Sequence, residues 1–269
     1  MTSWFKFGKA GAEGMALKEK RKLTPAEEAF DLFKTVVYAV AIALVLRIII
    51  FQPFNIPSGS MKPNLLVGDF LFVSKPAYGY SRASLVWPLT RLPIEGRLFG
   101  SEPERGDVVV FKNRKDGNKD YIKRVVGLPG DQIQMIKGRL HINGVAVDKE
   151  PIGVRAVTRF GQTIEIPAYR ETLPNGVSYI VEESRGDKAD KDDTESYFVP
   201  EGYYFMMGDN RDESQDSRWL EDVGYVPLDD IVGKAERLFF SVDGQKAHFW
   251  EVWKWPFAIR YGRILDQVE

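Results

Sequence analysis

The hydrophobic residues of the chain follow two patterns, one near the N-terminus and another beyond it. Residues 35–51 are apolar except for Arg47, and Leu32, Phe33 and Phe54 lengthen the run. The run thus reaches the ~20 residues that a helix needs to cross a bilayer. It lacks both an amphipathic period and a polar face. This pattern predicts one transmembrane helix, which we assign to residues 35–53.

Two other structures contain apolar runs of this kind. A buried helix of a globular protein normally shows an amphipathic period, which is missing here. A cleaved signal peptide has a shorter apolar region nearer the N-terminus, followed by small residues at the cut site. Here Gln52, Pro53 and Phe54 follow the run. The pattern therefore favours a permanent anchor, with Arg47 extending toward the lipid headgroups.

The basic residues on the two sides of the apolar run predict its orientation. Only Lys62 and Lys75 occur in the stretch just after the run, whereas the flank before it contains Lys18, Lys20, Arg21, Lys22 and Lys34. The positive-inside rule places such a basic flank in the cytoplasm. We therefore expect residues 1–34 to be cytoplasmic and the chain after Phe54 to lie outside the cytoplasmic (inner) membrane.

Beyond the anchor, short apolar and alternating runs bounded by turn residues indicate strands. Asn143-Gly144 is typical of a tight hairpin turn. The expected strands are 67–75, 106–112, 121–126, 132–136, 139–147, 163–166, 177–181, 196–199, 203–207 and 231–242. The predicted fold is therefore mainly β, with a membrane-anchored β-domain of barrel or sandwich type.

Residues that could carry chemistry cluster before position 137 and after position 200. Residues 138–199 contain hairpin signals but no candidate catalytic group, and we interpret them as an inserted smaller β-domain. The catalytic β-domain would then comprise residues 54–137 and 200–247. The charged loop at 184–195 is expected to be solvated.

Two further segments allow two interpretations each. The loop 76–105 has no clear elements and carries Trp87, Pro88, Leu92 and Phe99, so it either touches the membrane or packs on the protein surface. The C-terminal segment 248–269 places Trp250, Trp253 and Trp255 among Lys254, Arg260 and Arg263. Such a mixture suits a headgroup layer, and burial of the tryptophans on the β core is the alternative.

Composition excludes several classes of function. The formal net charge of −1 over 269 residues carries no bulk basic signature, so no nucleic-acid partner is expected. The chain has no cysteine, and therefore no disulfide or thiolate nucleophile. Its two histidines, His141 and His248, show no ligand spacing. We accordingly expect neither a metal nor a cofactor.

A serine nucleophile needs a base, and with histidine so scarce a lysine is the best candidate. Burial can lower the pKa of a lysine amine so far below the usual ~10.4 that the amine is neutral at working pH. Strand alternation places Tyr121, Lys123 and Val125 on one face, which gives Lys123 apolar neighbours. A solvated lysine at a strand edge is the alternative.

Several stretches occur together with these features. Pro57-Ser-Gly-Ser-Met follows the anchor directly, and Gly68-Asp69 and the segments 105–112, 121–131 and 207–218 come after it. Together they resemble type I signal peptidases, the membrane-bound serine-lysine proteases of bacteria. The resemblance covers most of residues 51–242, in the same order.

The resemblance implies a role for each matching residue. Ser60 would be the nucleophile and Lys123 its general base, while Ser58 and the Ser60 backbone N–H would bind the oxyanion. Ser214 would hydrogen-bond the lysine amine and orient it. The family's supporting polar network would consist of Arg124, Asp209, Arg211, Asp216 and Arg218.

The resemblance also implies a substrate class. Shallow apolar pockets would admit only small side chains, as in Ala-X-Ala before the cut, and would be lined by Phe54, Ile56, Met61, Leu65, Tyr121 and Ile122. Implied partners are preproteins that bear signal peptides, the lipid bilayer and the protein export machinery. Nine residues from Phe51 to Ser60 span at most about 30 Å, which places the nucleophile near the outer membrane surface.

Two alternatives to this function remain at the level of sequence. A related serine-lysine protease could process one dedicated substrate. An inactive anchored β-domain could instead bind envelope proteins without chemistry.

Overall fold

The computed structural model describes residues 24–85, 96–159, 162–186, 189–244 and 251–268. The predictions that concern Trp87, Pro88, Leu92, His248 and Trp250 lie outside these residues, as do the basic positions before residue 23. The chain divides into two compact units, one ending at Leu44 and the other beginning at Val45.

A single long helix, α1 (Pro25–Ile49), contains the predicted anchor. Among the described residues it is the one helix long and apolar enough to cross a membrane. It begins ahead of the expected position 35 because Thr24 and Glu27 cap it. The Thr24 hydroxyl accepts a hydrogen bond from Glu27 N, and the Glu27 carboxylate accepts one from Thr24 N at 2.7 Å. With Pro25 at the first helical position, this is a strong helix start.

The helix also ends earlier than predicted. Residues 51–53, which we had assigned to the anchor, form the first part of strand β1 (Phe51–Asn55). Pro53 explains the difference, because proline has no N–H to continue a helix and disfavours the helical conformation of the residue before it. The chain therefore passes within a few residues from the anchor into the β unit.

The largest sheet has seven strands in the order β1-β2-β14-β3-β4-β12-β13. Every described pairing within it is antiparallel. Besides β1, its strands are β2 (Asp69–Ser74), β3 (Val108–Asn113), β4 (Lys119–Gly127), β12 (Tyr203–Met207), β13 (Val226–Pro227) and β14 (Ile231–Ser241). The fold is thus mainly β with one apolar N-terminal helix, as the sequence predicts.

Two smaller sheets form from the chain between β4 and β12. One has the order β11-β5-β6-β7 and the other the order β10-β9-β8. Their strands are β5 (Gln132–Ile136), β6 (Arg139–Ile142), β7 (Val145–Ala146), β8 (Asp148–Arg159), β9 (Gln162–Thr172), β10 (Ser178–Glu182) and β11 (Tyr197–Phe198). We call residues 132–199 the insert.

The insert begins earlier than the predicted position 138, because β5 pairs with β6 and β11 rather than with the main sheet. One apolar cluster, formed mostly by insert residues such as Ile133, Leu140 and Val181, also includes Val126 of β4 and Phe205 of β12. The insert and the main sheet therefore bury apolar side chains against each other, and the interpretation of residues 138–199 as an inserted small β-domain stays a prediction.

All ten predicted strands are present, with their ends moved by a few residues, whereas β1, β8 and β13 were missed. Strand β8 carries Pro151 and Gly153, both of which argue against a strand interior. The structure accommodates them at a β-bulge between these two positions. His141 lies in β6, as expected.

Short helices complete the described chain. The one short α-helix is α2 (Trp255–Ala258), and the 3-10 turns are Arg82–Ser84, Arg114–Asp116, Arg211–Glu213, Leu228–Asp230, Val252–Lys254 and Tyr261–Arg263.

The described part of the loop 76–105 is packed on the protein. Tyr80 and Leu98 form an isolated β-bridge, and Arg97 donates hydrogen bonds to the carbonyls of Tyr78 and Leu228. Leu98 and Phe99 nevertheless expose 49% and 90% of their surfaces. The packed-loop interpretation thus fits the contacts of Tyr80 and Arg97 but not these two apolar side chains.

The C-terminal segment is fixed to the main sheet. Arg263 donates a 2.7 Å hydrogen bond to the buried carboxylate of Asp69, and Arg260 N donates one to Ser241 O. Trp253 and Phe257 remain largely exposed, at 67% and 83%. Trp253 is therefore not buried on the β core.

Candidate active site

Three segments that are distant in sequence meet at one place: the turn after β1, strand β4, and the loop after β12. The Lys123 Nζ and Ser60 Oγ atoms are 2.6 Å apart. Both residues are buried, with 4% and 7% of their surfaces exposed. The predicted nucleophile and base are therefore brought into hydrogen-bond contact.

The turn that carries Ser60 is compact. Lys62 N donates to Gly59 O at 3.2 Å and Leu65 N donates to Met61 O at 2.9 Å. The Ser58 hydroxyl is exposed and lies 3.4 Å from the Ser60 hydroxyl. Two hydroxyls therefore project from adjacent parts of one turn, as acyl transfer with an oxyanion donor requires.

The position of Lys123 within the main sheet buries its amine and so determines the pKa of that amine. It pairs with Val109 of β3 on one side, and its strand is flanked by β12 on the other. Burial lowers the pKa of the Lys123 amine to about 8, against the opposing pull of Asp216 and Asp209. A substantial fraction of the amine is then neutral near pH 8 and can accept a proton.

Ser214 does not make the predicted hydrogen bond to the lysine. It is buried, and its hydroxyl lies close to the carboxylate of Asp216, whose pKa it helps to lower. The hydroxyl instead faces Gly208, where an added Cβ would lie 2.1 Å from it and 2.5 Å from the Ser60 carbonyl oxygen. Ser214 is thus at the site but points at the backbone of residue 208.

The first buried ion pair beside the base joins Arg124 and Asp209. The guanidinium donates two hydrogen bonds to the carboxylate, at 2.9 and 2.8 Å, and both side chains are almost fully buried. The guanidinium also lies 3.9 Å from the centre of the Tyr179 ring. This pair connects β4 to the loop that follows β12.

Two more pairs lie within or against that loop. Arg218 donates to Asp216 at 2.9 Å and to the carbonyl of Arg211 at 2.6 Å, while Asp216 accepts from Gly208 N at 3.0 Å. Burial alone would raise the pKa of Asp216, but the charge of Arg218 outweighs it and holds that pKa below its usual value. Arg211 pairs through both terminal nitrogens with Glu171. All five predicted network residues are therefore buried in ion pairs.

Sequence reasoning missed four residues of this network. Glu171 and Tyr179 come from the insert, and Asn64 bridges Ile180 O and the Asp209 carboxylate at 2.8 and 2.7 Å. Asn210 donates from its side chain to Gly59 O and from its backbone to Ser60 O. Glu171 is buried although strand alternation places it on the face opposite to the buried Ile166 and Ala168, so the pattern of β9 reveals neither its burial nor its partner in the loop after β12.

A cavity of about 340 Å³ opens at Ser60 and Lys123. Its other walls are Pro57, Ser58, Lys119, Asp120, Tyr121, Ile122, Glu213 and Gln215. Of the six predicted pocket residues, Tyr121 and Ile122 line this cavity. Ile56, Met61 and Leu65 are instead buried in one apolar cluster with Ile122, and Phe54 packs against that cluster. They support the wall rather than form it.

The carboxylates of the site are engaged by guanidinium groups rather than gathered at one point. Among the described residues no three His, Cys, Asp or Glu side chains converge as a metal site would require. The groups next to the cavity that can take part in acyl transfer are a hydroxyl, an amine and backbone N–H groups.

Comparisons with known proteins identify the family of this chain. Residues 29–240 match the sequence model of a family described as signal peptidase, peptidase S26. The chain is 40% identical over 231 residues to the signal peptidase I of Rickettsia typhi, covering 81% of this chain and 82% of that one. It is 39% identical over 245 residues to the signal peptidase I of Rickettsia canadensis, with coverages of 87% and 86%.

Among solved structures, a signal peptidase I from Enterococcus faecalis V583 is similar at 24% identity and a TM-score of 0.30. That alignment covers 50% of this chain and 97% of the other.

Proposed function

Because this chain belongs to the signal peptidase family, peptidase S26, we propose that Ser60 and Lys123 are the nucleophile and general base with which it cuts signal peptides. Family membership makes the protein a membrane-anchored serine endopeptidase that acts on preproteins bearing signal peptides. The observation that carries the proposal is the 2.6 Å contact between the two side chains. The lowered pKa of the buried amine supports it.

The acylation step follows from these contacts. Neutral Lys123 removes the proton of the Ser60 hydroxyl while Oγ attacks the carbonyl carbon of the scissile bond. The Ser58 hydroxyl and the Ser60 N–H donate hydrogen bonds to the resulting oxyanion. The intermediate collapses when the Lys123 ammonium returns the proton to the leaving amine, which leaves the signal peptide esterified to Ser60.

Deacylation repeats the sequence with water as the nucleophile. Lys123, neutral again, takes a proton from the water as it attacks the ester, and then protonates Ser60 Oγ as the signal peptide leaves. Arg218 and Asp216 keep fixed charges beside the amine, so both steps proceed in a site that needs little reorganisation.

We propose that small residues precede the cut, in the Ala-X-Ala pattern. Tyr121 and Ile122 form the apolar wall nearest the base, and the fully buried Met61 and Leu65 lie in the cluster that Ile122 joins. To admit a large substrate side chain, these packed residues would have to move, which costs packing energy. An extended substrate beside residues 57–60 and 121–123 would add main-chain hydrogen bonds.

We further propose that the catalytic unit faces the outer side of the cytoplasmic membrane, where it could meet the export machinery. The basic residues before α1 support this orientation. Moving them behind the helix should invert the protein. A topology reporter fused after Glu269 that stays on the same side of the membrane in both proteins would contradict the orientation.

The experiment that tests the catalytic pair is cleavage of a purified preprotein in detergent, with the product N-terminus sequenced. We expect Ser60→Ala and Lys123→Met to abolish cleavage and the wild type to cut after a small residue. Lys75→Met is the matched control. Lys75 is equally buried and burial also lowers its pKa to about 8, but its amine contacts the Arg47 carbonyl instead of Ser60. Near-normal activity in the Ser60 or Lys123 variant would overturn the assignment.

A further inference from the structure

Asn210 holds both carbonyls of the nucleophile turn. Its side-chain amide donates to Gly59 O at 3.1 Å, and its backbone N–H donates to Ser60 O at 3.0 Å. Asn210 follows β12 on the loop that also carries the buried ion pairs, and only 1% of its surface is exposed. It therefore connects a surface turn to the rigid interior of the protein.

The contact with Gly59 O also determines the direction of the Ser60 N–H. Gly59 O and Ser60 N–H belong to the same peptide unit, which is planar and trans. In such a unit the N–H points away from the carbonyl. While the Asn210 amide holds Gly59 O, the Ser60 N–H must therefore face the opposite side.

This peptide unit needs an external contact because glycine precedes the nucleophile. Rotation of the unit changes the backbone angle ψ of residue 59, and glycine tolerates values that other residues do not. The turn bond from Lys62 N to Gly59 O is long, at 3.2 Å, and both of its groups belong to the turn itself. Asn210 supplies the second donor from outside the turn, and a carbonyl oxygen can accept both.

The orientation of the Asn210 amide is itself fixed. The same nitrogen that reaches Gly59 O lies 3.3 Å from a carboxylate oxygen of Glu213. Two acceptors on one side require the NH₂ group rather than the amide oxygen to face them. Glu213 thus keeps the donor of Asn210 directed at the turn.

We propose that Asn210 is a positioning residue of the reaction: it fixes the Gly59–Ser60 peptide so that the Ser60 N–H is available to the oxyanion. It touches neither the substrate nor the amine of Lys123. The inference rests on the proposed roles of Ser60 and its N–H, and it adds the residue that orients this donor.

The test compares three variants in the preprotein assay. Asn210→Ala removes the hydrogen bond to Gly59 O together with the contact to Glu213, and it should lower kcat about tenfold, with KM unchanged. Asn210→Asp places an acceptor and a negative charge beside Gly59 O and Glu213. This repulsion favours rotation of the Gly59–Ser60 peptide, which turns the Ser60 N–H away from the oxyanion. We therefore expect kcat to fall about 100-fold, as when an oxyanion donor is removed. Asn113→Ala is the matched control, because Asn113 is also buried and donates to a distant carbonyl, that of Asp222.

A second readout separates positioning from general destabilisation. A peptide aldehyde with the signal-peptide sequence adds to Ser60 as a hemiacetal: the Oγ–carbon bond forms, and the hydroxyl proton moves to the former carbonyl oxygen. Asn210→Ala should weaken this aldehyde about tenfold, because the adduct uses the oxyanion donors, and leave the affinity of the corresponding uncleavable peptide unchanged. Asn113→Ala should change neither affinity.

The outcomes are distinguishable. If aldehyde affinity and kcat of both Asn210 variants equal those of the wild type, the inference is wrong while the catalytic pair stands. An equal loss of affinity for aldehyde and peptide would also overturn it, since the effect would then be on the fold of the groove. If Asn210→Ala does not fold, Asn210→Ser, whose hydroxyl is too short to reach Gly59 O, replaces it in the same comparison. Cleavage by Ser60→Ala would instead refute the proposed function.

Discussion

The Lys123 amine and the Ser60 hydroxyl lie 2.6 Å apart although 63 positions separate the two residues in the chain. The amine is held in the interior of the main sheet, whereas the hydroxyl arrives on a turn just after the membrane helix. Burial at this point makes the amine a base, and the same burial makes the site costly to fold. The first two predictions follow from these two effects.

The rate of cleavage should depend on the ionisation of Lys123. Its pKa of about 8 leaves about a tenth of the amine neutral at pH 7, so kcat/KM should rise about tenfold between pH 7 and pH 9 and then level off. Steady-state kinetics over this range measures the effect. Lys75→Met should show the same rising limb. A flat profile would mean that the base titrates elsewhere.

Lys123→Met should be inactive but more stable than the wild type at neutral pH. The folded-state pKa is lowered from 10.5 to about 8, so between these values the unfolded chain binds more protons and wild-type stability rises with pH. Below pH 8 the full cost is about 3 kcal/mol. The free energy of unfolding of the variant should exceed that of the wild type by up to this amount at pH 7. Above pH 10.5 the difference should disappear. Urea unfolding at both pH values measures the difference, and an equal ΔΔG at both would contradict it.

Asp209→Ala should strongly destabilise the protein. It would leave the guanidinium of Arg124 buried without its carboxylate, a change that costs about 3–5 kcal/mol. Asp116→Ala is the control, because the Lys119–Asp116 pair is exposed and its loss should change the stability little. Chemical denaturation of both variants provides the comparison. Similar small losses would show that the buried pair is not needed for folding.

Gly208→Ala should abolish activity. The added Cβ would lie 2.1 Å from the Ser214 hydroxyl and 2.5 Å from the Ser60 carbonyl, so the nucleophile turn would have to move. Gly244→Ala is the matched control, because no atom of the described residues lies within 4 Å of its added Cβ. The readout is kcat/KM on the preprotein. A Gly208 variant that retains near-wild-type kcat/KM would show that the turn tolerates the displacement.

Ile122→Ala should relax the choice of cut site. Ile122 lines the cavity beside Lys123, and removing its side chain enlarges the space next to the scissile bond. Larger residues before the cut should then be accepted, and mass spectrometry of the products should show additional N-termini. Val232→Ala shortens a side chain of the same apolar cluster that does not line the cavity, so its products should match the wild type. Unchanged fidelity of the Ile122 variant would remove this residue from the specificity pocket.

The sequence predicts what depends on local pattern. The apolar run identifies the membrane helix, and alternation locates the strands that carry Lys123 and its neighbours. The start of the helix at Pro25 was missed although its capping pattern, Thr24 to Glu27, is local. The apolar run begins well after these capping residues, so hydrophobicity alone places the start of the helix too late.

Pairings between distant segments could not be predicted in the same way. Nothing in the alternation of β9 indicates that Glu171 faces Arg211, because the partner is chosen by how the sheets pack. The direction of the Ser214 side chain is likewise not predictable from local sequence pattern. The family pattern places it near the base, but its hydroxyl direction depends on the backbone at Gly208.

The ion pair between Glu171 and Arg211 restricts how this protein can change in length. Because the carboxylate belongs to β9 and the guanidinium to the loop that carries the site, the insert is not an exchangeable module. Excising it would leave a charge buried beside the active-site loop. The distal half of the β8–β9 hairpin, where Val154 and Ile164 are exposed, is connected to that loop indirectly, because Arg155 pairs with the buried Glu182, whose N–H donates to Asp209 O. Changes of chain length that keep this pair, in the part of the hairpin beyond Arg155, are therefore the ones that we expect to disturb the site least.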